Sequence, residues 1–88
     1  MTQRADRMRL SLEARFQPAL LEITDDSARH AGASPGGETH YSVHMVSAGF
    51  AGMSRVARSR AVHEALAGEF ESGLHALALR LQSPDEQA

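Results

Sequence analysis

No cysteine occurs in this 88-residue chain, and in so short a sequence that fact constrains the fold most sharply. A disulfide framework and a cysteine-ligated zinc finger, the usual staples of small domains, are both excluded. Packed side chains alone must hold the structure. A chain of this size buries only about 60–65% of the surface that its unfolded form exposes, so one small core and one domain over residues 1–88 are expected. A thiol nucleophile and a CxxC redox site are excluded for the same reason. Hydrophobic residues make up 42%, enough for a globular domain and too many for a disordered chain.

Charge narrows the partners. Eleven acidic and nine basic residues give a formal charge of −2, whereas a chain that grips nucleic acid is usually strongly basic. Every basic residue is an arginine. No apolar run approaches the roughly 20 residues of a membrane span. The start, Met1 to Arg7, leads into polar sequence without a signal-peptide core, so the cytoplasm is the expected compartment.

The periodicity alternates between helix and strand. Ala5, Met8, Leu12 and Phe16 fall at helical spacing and predict an amphipathic helix over residues 4–16, stopped by Pro18. Leu20 to Thr24 reads as a short strand with Leu21 and Ile23 on one face. Asp25 and Asp26 end it as turn-capping carboxylates. Residues 27–39 read as a mobile loop, since Ala31 to Gly37 holds three glycines and a proline. His40 to Ser47 alternates as a half-buried strand, antiparallel to the first, with Tyr41, Val43 and Met45 on one face. After a turn at Gly49 to Gly52, Ser54 caps a helix with the stripe Val62, Leu66, Phe70. His75 to Leu81 forms a third strand with its leucines on one side. Ser83, Pro84 and Glu86 announce a final helix that the chain is too short to extend. The order α–β–β–α–β–(α) describes an α+β domain, a three-stranded sheet with helices on one face and a core of about residues 4–82.

No catalytic constellation stands out: there is no nucleophile elbow, no GxxxxGK[ST] loop and no HExxH. An enzyme, and with it a small-molecule substrate, is not expected. Histidine is the unusual feature. His30 lies at the entry of the glycine-rich loop, His40 at its exit, and His75 opens the third strand; His44 faces the same side as His40, and His63 lies in the second helix. Singly, each reads as a surface or hydrogen-bonded structural histidine more readily than as a ligand. Gly49 and Gly52 match the GxxG that clamps a nucleic-acid backbone in KH domains, although Phe50 and Ala51 offer no charge and a turn is the simpler reading. Arg55, Arg58 and Arg60 follow as a local basic cluster. Arg55 and Arg58 are expected on one helix face, with Arg60 pointing elsewhere.

Taken in order, these pieces resemble the BolA family from about Met8 to Pro84. The likeness is carried by Leu12-x-x-x-Phe16-x-Pro18, Leu21-Glu22-Ile23, Asp26-Ser27-x-x-His30, Gly37-Glu38-Thr39-His40-Tyr41 with Val43 and Val46-Ser47, Phe50-x-Gly52, Arg58-x-Arg60-x-Val62, and Leu74-His75-Ala76-Leu77. The resemblance implies a single domain related to the class II KH fold. It also implies a cytoplasmic, non-enzymatic adaptor that pairs with a monothiol glutaredoxin around a bridging [2Fe–2S] cluster, for iron–sulfur trafficking or iron sensing. Glutaredoxin and glutathione would supply the thiolates, so the isolated chain would bind no cluster. On this side the ligands implied are His75 and His30, with His40 as the runner-up. The family's bacterial members imply an alternative, a DNA-binding transcriptional regulator of stress response and cell shape. It would use the helix with Arg55, Arg58 and Arg60 and the Gly49–Gly52 turn. The loop around His30 is slightly longer than the family's usual spacing, and the C-terminal tail is shorter.

Overall fold

A computed structural model describes residues 3–27 and 39–86. In chain order they form α1 (Gln3–Phe16), β1 (Leu20–Asp25), β2 (His40–Val46), a 3₁₀ turn at Ala48–Phe50, α2 (Arg55–Ala65), α3 (Ala67–Glu71), β3 (Ala76–Gln82) and a closing 3₁₀ turn at Pro84–Glu86. The sheet has the order β1-β2-β3, with β1 antiparallel and β3 parallel to the central β2. The α+β class and the three strands agree with the sequence reading. Residues 28–38, which hold His30 and nearly all of the expected mobile loop, lie outside the described residues.

Alternation along β2 decides which face is covered. Tyr41, Val43 and Met45 are buried, and their register partners Ile23, Leu21, Leu77, Leu79 and Leu81 lie on the same side. Met8 and Leu12 of α1, with Val62 and Leu66 behind α2, close over that side to make one core. The opposite face carries Glu22, Ser42, His44 and Arg80, and among the described residues no helix packs against it. Among the described residues no helix is long and apolar enough to cross a membrane.

The local signals act largely as chemistry requires. Helix α1 ends at Phe16, two residues before Pro18, with Gln17 between them at φ 42, a left-handed conformation that costs a non-glycine residue about 1–2 kcal/mol. Gln17 offsets this by donating from its backbone N–H to Glu13 and from Nε2 to the carbonyl of Ala14. Ser54 Oγ accepts from the Ala57 N–H and caps α2. The expected single helix carrying Val62, Leu66 and Phe70 is instead two. Leu66, at φ −108 and ψ 14, ends α2 and begins α3. Gly68 sits just beyond, where a glycine weakens helix continuation by about 1 kcal/mol. Val62 and Leu66 still reach the core, while Phe70 is only half-buried and stacks on His63.

The Gly49–Gly52 segment is a turn. Gly52 adopts φ 78, Ser47 Oγ accepts from the Gly49 N–H, and Phe50 between the glycines is fully buried against Phe16. The Arg58 guanidinium lies over the Phe50 ring, its central carbon 5.7 Å from the centroid. Its Nε donates to the Met53 carbonyl, Nη1 to the Leu81 carbonyl, and Nη1 and Nη2 fork onto the two carboxylate oxygens of Glu86 at 2.6 and 2.8 Å. One guanidinium thus ties the turn, α2, the end of β3 and the C-terminal 3₁₀ turn together. Half of the capping box foreseen at Ser83 forms: the Ser83 N–H donates to Glu86 Oε1, while the Ser83 hydroxyl donates to Asp85 Oδ1 instead of capping the Glu86 N–H.

Two outcomes follow. Phe50→Ala lowers unfolding free energy by about 3–5 kcal/mol, measurable by urea denaturation. Arg58, together with the Ser83 N–H, holds the Glu86 carboxyl down at about 2, against an ordinary value of 4.5. The stability this contributes is fully present above about pH 4.5 and is lost as pH falls toward about 2. Glu86→Gln therefore flattens the acid limb of a stability–pH profile. It does not abolish it, because the Glu69 carboxyl is also held low by Arg7 and Arg4.

Candidate metal-ligand pair at the start of the parallel strands

Parallel pairing of β2 with β3 sets the first residues of both strands side by side. His40 is opposite Ala76 in the register, so His75 falls next to it. The two imidazole centroids are 5.8 Å apart, tilted by 41°. His75 is exposed and His40 half-buried. The Thr39 hydroxyl is 2.9 Å from His40 Nδ1 and orients that ring.

Backbone and polar side chains fix this corner. The Thr39 carbonyl accepts from both the His75 and Ala76 N–H groups, at 2.8 and 3.0 Å. Buried Ser27 Oγ accepts from the Thr39 and His40 N–H groups, at 3.0 and 3.1 Å, and the Ser27 N–H is itself turned onto Asp25 Oδ1. On the far side, Leu74 sinks into the core and donates to the Glu69 carbonyl. Gly73, at φ 128, makes the bend into β3; a Cβ there would lie 3.1 Å from Arg4 Nη2. Arg4 clamps that bend, donating to Glu69 Oε1, the Glu69 carbonyl, Ser72 Oγ and the Ser72 carbonyl at 2.7–3.1 Å. Arg7 grips both oxygens of the same Glu69 carboxylate.

Of the residues singled out in the sequence, the structure brings His40 and His75 together and leaves His30 outside the described residues. His44 spans the open sheet face instead, with Nδ1 at 3.2 Å from Glu22 Oε1 and Nε2 at 3.0 Å from Gln82 Oε1. His63 bonds the Ser59 carbonyl within its own helix. Arg55 and Arg60 are exposed, but Arg58 is buried and committed to Glu86. Arg55 and Arg58 do line one groove and Arg60 does not, but Arg58 is buried with its charge neutralised by the Glu86 carboxylate, so it is not the free cation that an anion-facing cluster requires. Gly49 and Gly52 serve the turn. Sequence reasoning passed over Arg4, Ser27, Thr39 and Glu69. Ser27 and Thr39 lie within the motifs that carried the family resemblance, whereas nothing local in the sequence signals a tie from Arg4 to Glu69, 65 residues away.

Two imidazoles without a thiolate make an incomplete metal site. Among the described residues no third histidine, aspartate or glutamate joins them in a metal-binding group. Losing the Arg4 clamp removes charge-assisted bonds of about 1.5–3 kcal/mol each. In Arg4→Ala, amide exchange at Leu74, His75 and Ala76 accelerates at least about tenfold, while amides of β1 hold their rates in the same NMR experiment.

Comparison with known proteins agrees with this architecture. The family model for BolA-like proteins matches residues 12–86. A Sinorhizobium protein of the cobS 5′ region is 48% identical over 75 residues, covering 81% of each chain. The chloroplastic BOLA1 of Arabidopsis thaliana is 42% identical over 88 residues; this chain spans 55% of its length. The solved BolA domain of Arabidopsis SufE1 superposes with a TM-score of 0.91 at 41% identity, covering 98% of both chains. The chain belongs to the BolA-like protein family.

Proposed function

We propose that this protein is a non-enzymatic adaptor that supplies imidazole ligands to one iron of a [2Fe–2S] cluster bridged to a monothiol glutaredoxin. The observation that carries this reading is the His40–His75 pair, two rings 5.8 Å apart at an exposed end of the sheet. Imidazoles replace thiolates on one iron in Rieske centres, so this donor set fits half of such a cluster. The thiolates must come from elsewhere, because the chain has none. Family membership and the likeness to the BolA domain of SufE1 support the same reading.

The roles divide simply. His75 stands on the more exposed side and faces the partner. Thr39 holds both residues in place, through its carbonyl to the His75 backbone N–H and its hydroxyl to the His40 ring. His30 follows the anchored Ser27 by three positions in sequence and is the other source of the second imidazole. A bound cluster would supply electron transfer or iron for delivery to other proteins. The protein's own part is to present neutral imidazoles and release them.

The test uses the full chain mixed with cluster-loaded monothiol glutaredoxin, followed by visible absorption and circular dichroism. His75→Ala abolishes the spectrum of the mixed complex, and of His40→Ala and His30→Ala the one removing the second ligand alters it. An unchanged spectrum in His75→Ala overturns the assignment.

A further inference from the structure

A groove of about 680 Å³ runs between α2 and β3, away from the histidine pair. Its floor is the half-buried Leu77 and Leu79. Its outer lip is Val56, which is 60% exposed, one of two large apolar side chains so exposed among the described residues. Arg55 and Arg80 stand at its rims, both exposed and neither paired with a carboxylate among the described residues. Among the described residues no acidic side chain lines it.

The groove borders an open strand edge. At the two ends of β3, Ala76 N–H donates to Thr39 and the Gln82 carbonyl accepts from Ser47. Backbone groups alternate sides along a strand, so the even-numbered residues of β3 face β2. Leu77, Leu79 and Leu81 then direct their N–H and C=O groups outward. Arg58 takes the Leu81 carbonyl. The backbone of Leu77 and Leu79 is left facing the groove, at the edge of the sheet, the arrangement to which an added strand pairs.

We propose that this groove docks an extended segment of a protein partner, carrying acidic residues among aliphatic ones, that adds as a fourth strand on β3. Peptide backbone satisfies the Leu77 and Leu79 groups, aliphatic side chains cover the leucine floor and Val56, and carboxylates meet Arg55 and Arg80. Charge sets the choice of occupant. A second copy paired through the same edge would bring Arg80 and Arg55 against each other's cations. A nucleic acid would find two unpaired guanidiniums at the rims, and the one aromatic ring among the described lining residues, His63, is already stacked on Phe70 and bonded to the Ser59 carbonyl. The inference does not depend on cluster binding, because none of these residues belongs to the histidine pair.

The experiment titrates the ¹⁵N-labelled full chain with a capped octapeptide of alternating glutamate and valine. Parallel titrations use the lysine–valine analogue, the same glutamate peptide with alternate amides N-methylated, and a short oligo-deoxythymidine. The glutamate peptide is expected to shift the amides of Val56, Leu77 and Leu79, and N-methylation to abolish the effect. Arg55→Glu combined with Arg80→Glu weakens binding at least about fivefold. Absence of shifts at millimolar peptide, equal binding of the lysine analogue, or oligonucleotide binding at these amides without peptide binding would each overturn the proposal. So would self-association of the free chain through the same amides. Should the double variant fail to fold, the N-methylated comparison on the wild-type chain decides alone.

Discussion

Parallel pairing between β2 and β3 is the constraint on which the rest of this structure depends. Antiparallel neighbours can be joined by a tight turn, but parallel ones need a crossover long enough to return the chain to the same end of the sheet. Here α2 and α3 make that return, and they can do so only by covering one face. The crossover fixes three things at once. It buries Val62 and Leu66 on Tyr41, Val43 and Met45, it makes β3 an edge, and it sets His75 beside His40. A slip of one residue between β2 and β3 would turn the leucines of β3 outward. Core packing therefore enforces the same register that brings the imidazoles together.

Much of this was legible in the chain, because the signals are short-range. Spacing of Met8 and Leu12, alternation from His40 to Met45, the cap at Ser54 and the Glu86 half of the capping box at Ser83 are each read within a few residues, and each is found in the structure. Direction of strand pairing is not encoded that way: the leucines of β3 alternate identically whichever way the strand runs. The division of the second helical stretch at Leu66 was also hidden, since Val62, Leu66 and Phe70 keep helical spacing across it. His40 and His75 are separated by 35 positions in sequence. Only the crossover and the shared Thr39 carbonyl make them neighbours, so spacing alone could name them as candidates but not as a pair.

The arginines show why local reading misassigned one of them. Arg55, Arg58 and Arg60 look alike as a basic cluster, yet burial separates them: Arg58 is 7% exposed, whereas its neighbours face solvent. A buried cation is tolerable only when paired and hydrogen-bonded, and Arg58 finds the Glu86 carboxylate and two backbone carbonyls. Arg4 does the equivalent at the other end of β3, with Glu69 and Ser72. The two arginines thus hold the strand at its start and its finish, in a domain with no cysteine to form a disulfide.

Lysine could not fill either place. Arg58 reaches Met53, Leu81 and both oxygens of Glu86 through three nitrogens of a rigid plane; an ammonium is a single point on a flexible stem. The plane also lies against the Phe50 ring, its central carbon 5.7 Å from the ring centroid, so the cation packs as well as pairs. Replacing the guanidinium by a shorter or rounder cation would leave at least one of the Met53 and Leu81 carbonyls without a partner inside the fold. In a chain this small the core ends within a few ångströms of its charged residues, and charge becomes part of the packing. Among the arginines left outside that packing, Arg55 and Arg80 flank the β3 edge, where their charge is available to a partner.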